Sequence, residues 1–238
     1  MVLNKATNSI QTRRYFIFGV CSSFLLLILL LSVRLFIIEA IISKYPEALY
    51  TNSAYQKDLI LENFSVQKQS HANSCGPTTI SMAYSYLVEP ISEQELAGKL
   101  GFTLGKSGML PKQFYKTLNS ALGEYGYRIE HQTNITDTEF LERTYLQLQQ
   151  GIPVPIYFST INRWNEPYYD THYSLIIGIR PAKKEVIIAN AYGFLEDMPI
   201  SELLRDIKYE NYLNSPYYFR LGLFVGAINK NNFYLIEK

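Results

Sequence analysis

The sequence predicts an α+β fold. A helix-rich first half carries a cysteine, an antiparallel, strand-rich second half carries a histidine, and one transmembrane helix precedes both. Three observations predict it. Apolar residues follow Cys75 at helical spacing, two short apolar runs flank a turn between His172 and Asn190, and residues 15–33 contain no charge.

The chain has 238 residues and a formal net charge of +1, the size of one ordinary domain with an N-terminal appendage. The run 15–33 continues into a second apolar stretch at 35–38. A bilayer needs about 20 such residues. A cleaved signal peptide is the competing reading, but the run exceeds a usual signal core and no small-residue cleavage site follows it. Lys5, Arg13 and Arg14 precede the run, while Arg34, Lys44 and Glu39 follow it, a bias that favours a cytoplasmic N-terminus and a domain outside the cell membrane. The expected organisation is a cytoplasmic segment 1–14, an anchor 15–42, a linker 43–63 able to pack on the domain, and a domain 64–238.

Ser74 is a good helix N-cap, Pro77 suits a first turn, and Ile80, Ala83, Tyr84 and Leu87 form the apolar stripe, so Cys75 opens a helix. The positive end of the helix dipole favours a thiolate there, the form that attacks carbonyls. Gly76 is expected to leave room for a substrate. The other cysteine, Cys21, lies inside the apolar run, so Cys75 has no disulfide partner. A lone cysteine is more often a buried structural thiol. The helix start and the histidine hairpin turn the reading toward a nucleophile.

Downstream, Ser92 to Glu95 is a capping box for a helix through Leu100, and Pro111 opens a helix running to about Gly123. A strand over 127–132, a helix over 137–149 and a strand over 154–158 follow. Of three histidines, His172 begins the run His-Tyr-Ser-Leu-Ile-Ile-Gly-Ile, a polar residue ahead of a buried-strand pattern. A strand over 172–179, a turn through Arg180 to Lys184 and a strand over 185–190 make a hairpin. Pairing about its midpoint, (172 + 190)/2 = 181, sets His172 opposite Asn190 with Cβ atoms about 5 Å apart, close enough for Asn190 to orient the imidazole. A bulge would shift that register. His71 and His131 read as surface or strand-end residues. Helical and sheet halves imply a cleft between them, where Trp164, Tyr168 and Tyr169 either line the cleft or cover core.

Gln69, then Cys75-Gly76, then His172-Tyr173 before an apolar strand, then Asn190 ahead of Tyr192-Gly193, resembles the papain-like peptidases that process double-glycine leaders of bacteriocins. The likeness spans roughly residues 64–230. It implies that Gln69, six residues before the cysteine, donates to the oxyanion, with Cys75, His172 and Asn190 completing the catalytic set. Gln67 is its rival, and the family spacing chooses between them. Three positions depart from the pattern: Thr171 where glycine is common, Asn190 where aspartate is usual, and Ala191 for proline. Asparagine is the orienting residue in Cys-His-Asn sites, so no catalytic group is lost.

The resemblance implies a cysteine peptidase acting on a peptide or protein. A non-catalytic peptide-binding module and an acyl or peptidyl transferase remain as alternatives on the same fold. No cofactor is expected, and no cysteine or histidine cluster has metal-ligand spacing. Aromatics are spread through the chain without a basic stripe, which argues against nucleic acid as a partner. Gly101 to Ser107 has three residues between its glycines where a phosphate-binding loop needs four, and it follows a helix rather than a strand.

Overall fold

The computed structural model describes residues 20–33, 37, 53–105, 108–160, 171–209, 217–226 and 228–238. The chain divides into two units, Met1–Ala40 and Ile41–Lys238. In the first, residues 20–33 are helical, with Phe24, Leu25, Leu29 and Leu30 exposed. Among the described residues no helix is long and apolar enough to cross a membrane. The expected anchor also takes in 15–19, 34–36 and 38–42, which lie outside the described residues.

The second unit contains strands β1 (Leu59–Ile60), β2 (Arg128–Gln132), β3 (Val154–Ser159), β4 (Thr171–Arg180), β5 (Glu185–Asn190), β6 (Phe194–Pro199) and β7 (Asn232–Glu237). Its helices are α1 (Cys75–Leu87), α2 (Glu93–Leu100), α3 (Pro111–Gly123), α4 (Asp137–Gln149), α5 (Ile200–Ile207) and α6 (Tyr217–Val225). The strands form one sheet in the order β2-β7-β3-β4-β5-β6, with β1 paired to β4. Every pairing in it is antiparallel.

Neighbouring residues on a strand point to opposite faces. On β7, Phe233 meets Phe140 of α4 edge-on, with ring centroids 4.9 Å apart, while Tyr234 meets Phe114 of α3 at 4.6 Å. Helices therefore cover both faces of the sheet. That is why β3 is buried along its whole length and β4 everywhere except its two ends, and why they read as continuous apolar runs.

The helix starts follow their local chemistry. Ser92 and Glu95 form the expected capping box of α2, which ends on Gly101 at φ +70°, and Thr136 accepts from the Glu139 N–H at the start of α4. Ser74 is the N-cap residue of α1, but its side chain does not cap the helix. Its hydroxyl instead donates to the His71 carbonyl at 3.0 Å and accepts from the His71 N–H at 3.1 Å, closing a tight loop before Cys75.

Residues 53–63, the described part of the segment 43–63 expected as a linker able to pack on the domain, meet the sheet through β1. Leu59 pairs with Ile179 and Ile60 with Gly178, while the Lys57 carbonyl accepts from Tyr145 Oη at 3.1 Å. A methyl group at Gly178 would lie 3.0 Å from the Leu59 carbonyl oxygen and 2.9 Å from Ile187, so glycine is what lets β1 approach there.

The β4–β5 ladder corrects the expected hairpin register. Asn190 lies opposite Ser174 rather than His172, and the pairing shifts between Ile176 and Gly178. The residue between them, Ile177, is left out of the β5 ladder, and its carbonyl accepts from the Leu61 N–H at 2.9 Å. The total displacement at the His172 end is two residues, so His172 and Asn190 remain on one face of the sheet.

Candidate active site

Because the displacement is two residues, His172 becomes the diagonal cross-strand neighbour of Asn190 and stays within reach. Its Nε2 lies 3.0 Å from Asn190 Oδ1, and both residues are buried. The protonation of this pair follows from the amide's other partners. Asn190 Nδ2 donates to Glu196 Oε2 at 3.2 Å, and Oδ1 accepts from the Tyr192 N–H at 3.0 Å. The oxygen of the amide therefore faces the histidine, and an amide oxygen only accepts. Nε2 must carry the proton, and in the neutral ring Nδ1 holds the lone pair.

The Tyr192 ring is stacked on the imidazole with centroids 4.4 Å apart and planes 17° from parallel, while Phe158 meets it edge-on at 5.8 Å. Burial drives the His172 pKa down to about 4, and the Asn190 hydrogen bond opposes this only in part. Tyr192 and Glu196 are contributors that sequence reading missed. The Tyr192-Gly193 pair was visible as a motif, whereas Glu196 lies on an edge strand in which Met198 alone is buried.

Cys75 is buried at the start of α1. Gly76 beside it does not open a path for substrate. A methyl group there would lie 3.1 Å from Met109 Cβ and 3.4 Å from Tyr173, so glycine allows α1 to sit close against β4. Tyr173, the residue after His172, is wholly buried. It stacks on Phe114 at 4.2 Å and packs on Tyr157 at 4.6 Å, and burial holds its phenol well above the usual range. The helix start that carries Cys75 is thus keyed to the strand residue adjacent to the histidine.

The two glutamines have separate roles. Gln67 Nε2 donates to Ser85 Oγ at 3.0 Å and to the Ile91 carbonyl at 2.9 Å, and its Oε1 accepts from Ser81 Oγ at 2.8 Å. It clamps the later turns of α1. Gln69 Nε2 donates to the His71 and Ala72 carbonyls at 2.9 and 3.0 Å, inside the loop that delivers Cys75, and its backbone N–H donates to the Ala191 carbonyl at 2.7 Å. Its Oε1 is buried with no hydrogen-bond partner. Lys68 bridges to Tyr192, so this loop and the segment after Asn190 are tied together.

The other histidines have structural surroundings. His71 sits in the loop before Cys75, with Nδ1 2.8 Å from Ser70 Oγ. His131 has more support than a strand-end residue: Nε2 lies 2.8 Å from Asn232 Oδ1, the ring stacks on Tyr234 at 4.7 Å, and burial lowers its pKa. A groove of about 1010 Å³ lies beside the later turns of α1, lined by Gln67, Lys68, Met82, Ser85 and Glu93 among others, and neither Cys75 nor His172 lines it. Trp164, Tyr168 and Tyr169, the candidate cleft aromatics, lie outside the described residues.

These histidines make acid stability a readout of burial. Above pH about 6.5, His172 is neutral in folded and unfolded chains alike. As pH falls from 6.5 toward 4 the unfolded chain binds the proton first and stability is lost; below about 4 the folded chain binds it too and the loss stops growing. The share is about 3 kcal/mol at most, and His131 adds to it in the same direction. Denaturant unfolding at pH 7 and pH 4.5 is expected to show a smaller acid loss for His172→Gln than for the wild type. An equal loss in both would mean that the imidazole is already protonated in the fold.

A buried His-Asn pair on an antiparallel sheet, with a cysteine helix packed against the same strand, belongs to the papain-like α+β class. The chain is a member of the Peptidase_C39 like family, which it matches over residues 61–214, well over half its length. A comparison with curated proteins found no match. Among solved structures, a Bacillus anthracis protein described as a C39-like peptidase is similar at a TM-score of 0.51 and 13% identity, over 76% of this chain and 98% of that one. The peptidase domain of Streptococcus ComA, a bifunctional ABC transporter of a quorum-sensing pathway, gives a TM-score of 0.47 and 10% identity over 74% and 98% of the two chains. A double-glycine-motif protease from an AMS/PCAT transporter, solved with its leader peptide, gives 0.43 and 13% over 76% and 99%.

Proposed function

We propose that the protein is a membrane-anchored cysteine peptidase whose site consists of Cys75, His172, Asn190 and Gln69. The observation that carries this reading is the buried His172-Asn190 hydrogen bond of 3.0 Å, with the amide oxygen turned to Nε2. It leaves Nδ1 as the basic nitrogen. Cys75 gives its proton to that nitrogen and attacks a peptide carbonyl; the imidazolium then returns the proton to the leaving amine, and water releases the acyl-enzyme. Burial disfavours the imidazolium and so opposes the accepting step. The thiolate formed in that step stabilises the imidazolium, with Asn190 Oδ1 on its other side.

Gln69 is the side-chain donor to the oxyanion, acting with the Cys75 N–H. Its amide hydrogens meet the neutral carbonyls of His71 and Ala72 in the resting loop. A charged oxygen beside Cys75 is a stronger acceptor than either, so one of these bonds is exchanged when the tetrahedral intermediate forms.

The substrate is a peptide or protein outside the cell, and the apolar segment over 15–42 holds the enzyme at the membrane. The test is a peptide-library digestion by the full chain, with Cys75→Ala as the blank. Cleavage by the wild type alone is expected, together with recovery of the intact protein in the membrane fraction and exposure outside the cell of a reporter fused after Lys238. Products that form only with an added amine would indicate a transferase. A soluble protein beginning near residue 43 would show a cleaved signal instead of an anchor.

A further inference from the structure

His172, Asn190 and Glu196 stand in a diagonal row across three adjacent strands. Asn190 pairs with Ser174 of β4 and with Phe194 of β6, so His172 and Glu196 are each two residues beyond its direct partners, on the same face. Both links of the row are hydrogen bonds: His172 Nε2 to Asn190 Oδ1 at 3.0 Å, and Asn190 Nδ2 to Glu196 Oε2 at 3.2 Å. The amide is wholly buried, whereas Glu196 is half-buried.

We infer that Glu196 is a positioning residue of the site, a carboxylate acting on His172 through the Asn190 amide. This rests on the peptidase reading for its effect on turnover, but not for its effect on the imidazole. A neutral asparagine can present either end to a histidine. An acceptor-only carboxylate on the far side takes the NH₂ end and turns the oxygen inward. The Tyr192 N–H favours the same orientation from the backbone, so Glu196 is the side-chain half of the device, and the half that mutation can remove. Accepting from Nδ2 also draws negative charge toward Oδ1, which strengthens the bond to Nε2–H. The chain thereby keeps a carboxylate in the row, one side chain farther from the imidazole than a direct aspartate at position 190 would be.

The arrangement predicts coupling between positions 190 and 196. Asn190→Asp alone sets two carboxylates against each other across the present 3.2 Å contact, so one takes up a proton or turns away. Adding Glu196→Gln supplies an NH₂ to the new aspartate and removes the repulsion.

The test uses the full chain in detergent, labelled with ¹⁵N-histidine. It has three histidines, so the ring signals are few enough to assign. The wild type is expected to show His172 as the Nε2–H tautomer at neutral pH. Glu196→Ala should weaken that preference, giving a mixture with Nδ1–H, and should lower kcat roughly tenfold with little change in KM. Asn190→Asp/Glu196→Gln should turn over faster than Asn190→Asp alone. An unchanged tautomer in Glu196→Ala, or, where the wild type cleaves peptide, a double variant no faster than Asn190→Asp, would overturn the inference. Should no variant or wild type cleave peptide while the tautomer still depends on Glu196, the peptidase reading fails and this one stands.

Discussion

Replacing Cys75 by alanine is expected to lower peptide turnover by roughly 10⁴- to 10⁶-fold, and adding His172→Ala is expected to lower it no further. The thiol and the imidazole act as a unit: without the base the thiol is a poor nucleophile, and without the thiol the base has nothing to activate. Neither loss should unfold the domain, because the α1 stripe and the β4 ladder do not depend on either group's chemistry. Alkylation gives the same answer without a substrate. Cys75 should react with iodoacetamide faster than a free thiol below neutral pH, where His172 is still neutral and takes the proton as the sulfur attacks, and His172→Ala should bring it to the ordinary rate. Ordinary reactivity in the wild type would favour the non-catalytic peptide-binding alternative. A double variant far below either single one would mean that the two residues do not act in one step.

The sequence made legible those parts whose chemistry is local. The capping box at Ser92 marked α2, Pro111 marked α3, and the apolar runs marked β3, β4 and β5, because caps and periodicity are properties of a few consecutive residues. Edges were harder. Only two residues of β1 pair, and β6 exposes four of its six, so neither carries the run of buried residues by which a central strand is read.

The hairpin register shows what local reading lacks. The turn centre lies one to two residues beyond the expected midpoint, and the bulge at Ile177 sits where β1, more than a hundred residues earlier in the chain, joins β4. It decides the site: the turn alone displaces the pairing by three residues, which would put His172 and Asn190 on opposite faces, and the bulge takes one residue back, so the remaining two-residue displacement preserves the face and leaves the side chains diagonal instead of opposite. Gly76 taught a related lesson. A glycine after a candidate nucleophile suggests access for a substrate, but here the space is filled by Met109 and Tyr173, neither of them close to it in sequence.

Gln69 and Gln67 are two residues apart, and exchanging each for alanine is expected to separate catalysis from stability. Gln69→Ala should cost roughly 100- to 1,000-fold in turnover, the effect of losing one oxyanion donor, about 3 to 4 kcal/mol of transition-state stabilisation. Cys75 should remain alkylatable in that variant, because the thiol and His172 are untouched. Gln67→Ala should act differently. Its amide makes three hydrogen bonds, to Ser81, Ser85 and the Ile91 carbonyl, and truncation leaves that carbonyl without one of its donors inside the domain. The expected result is a stability loss of about 1 to 3 kcal/mol in denaturant unfolding with turnover nearly intact. The Gln69 loop complicates the first variant in one respect, since the same amide also holds the His71 and Ala72 carbonyls. A loosened loop would slow alkylation of Cys75 as well as turnover, whereas a lost oxyanion donor slows turnover alone. If Gln67→Ala were the variant to lose turnover with stability unchanged, the oxyanion assignment would move from Gln69 to Gln67.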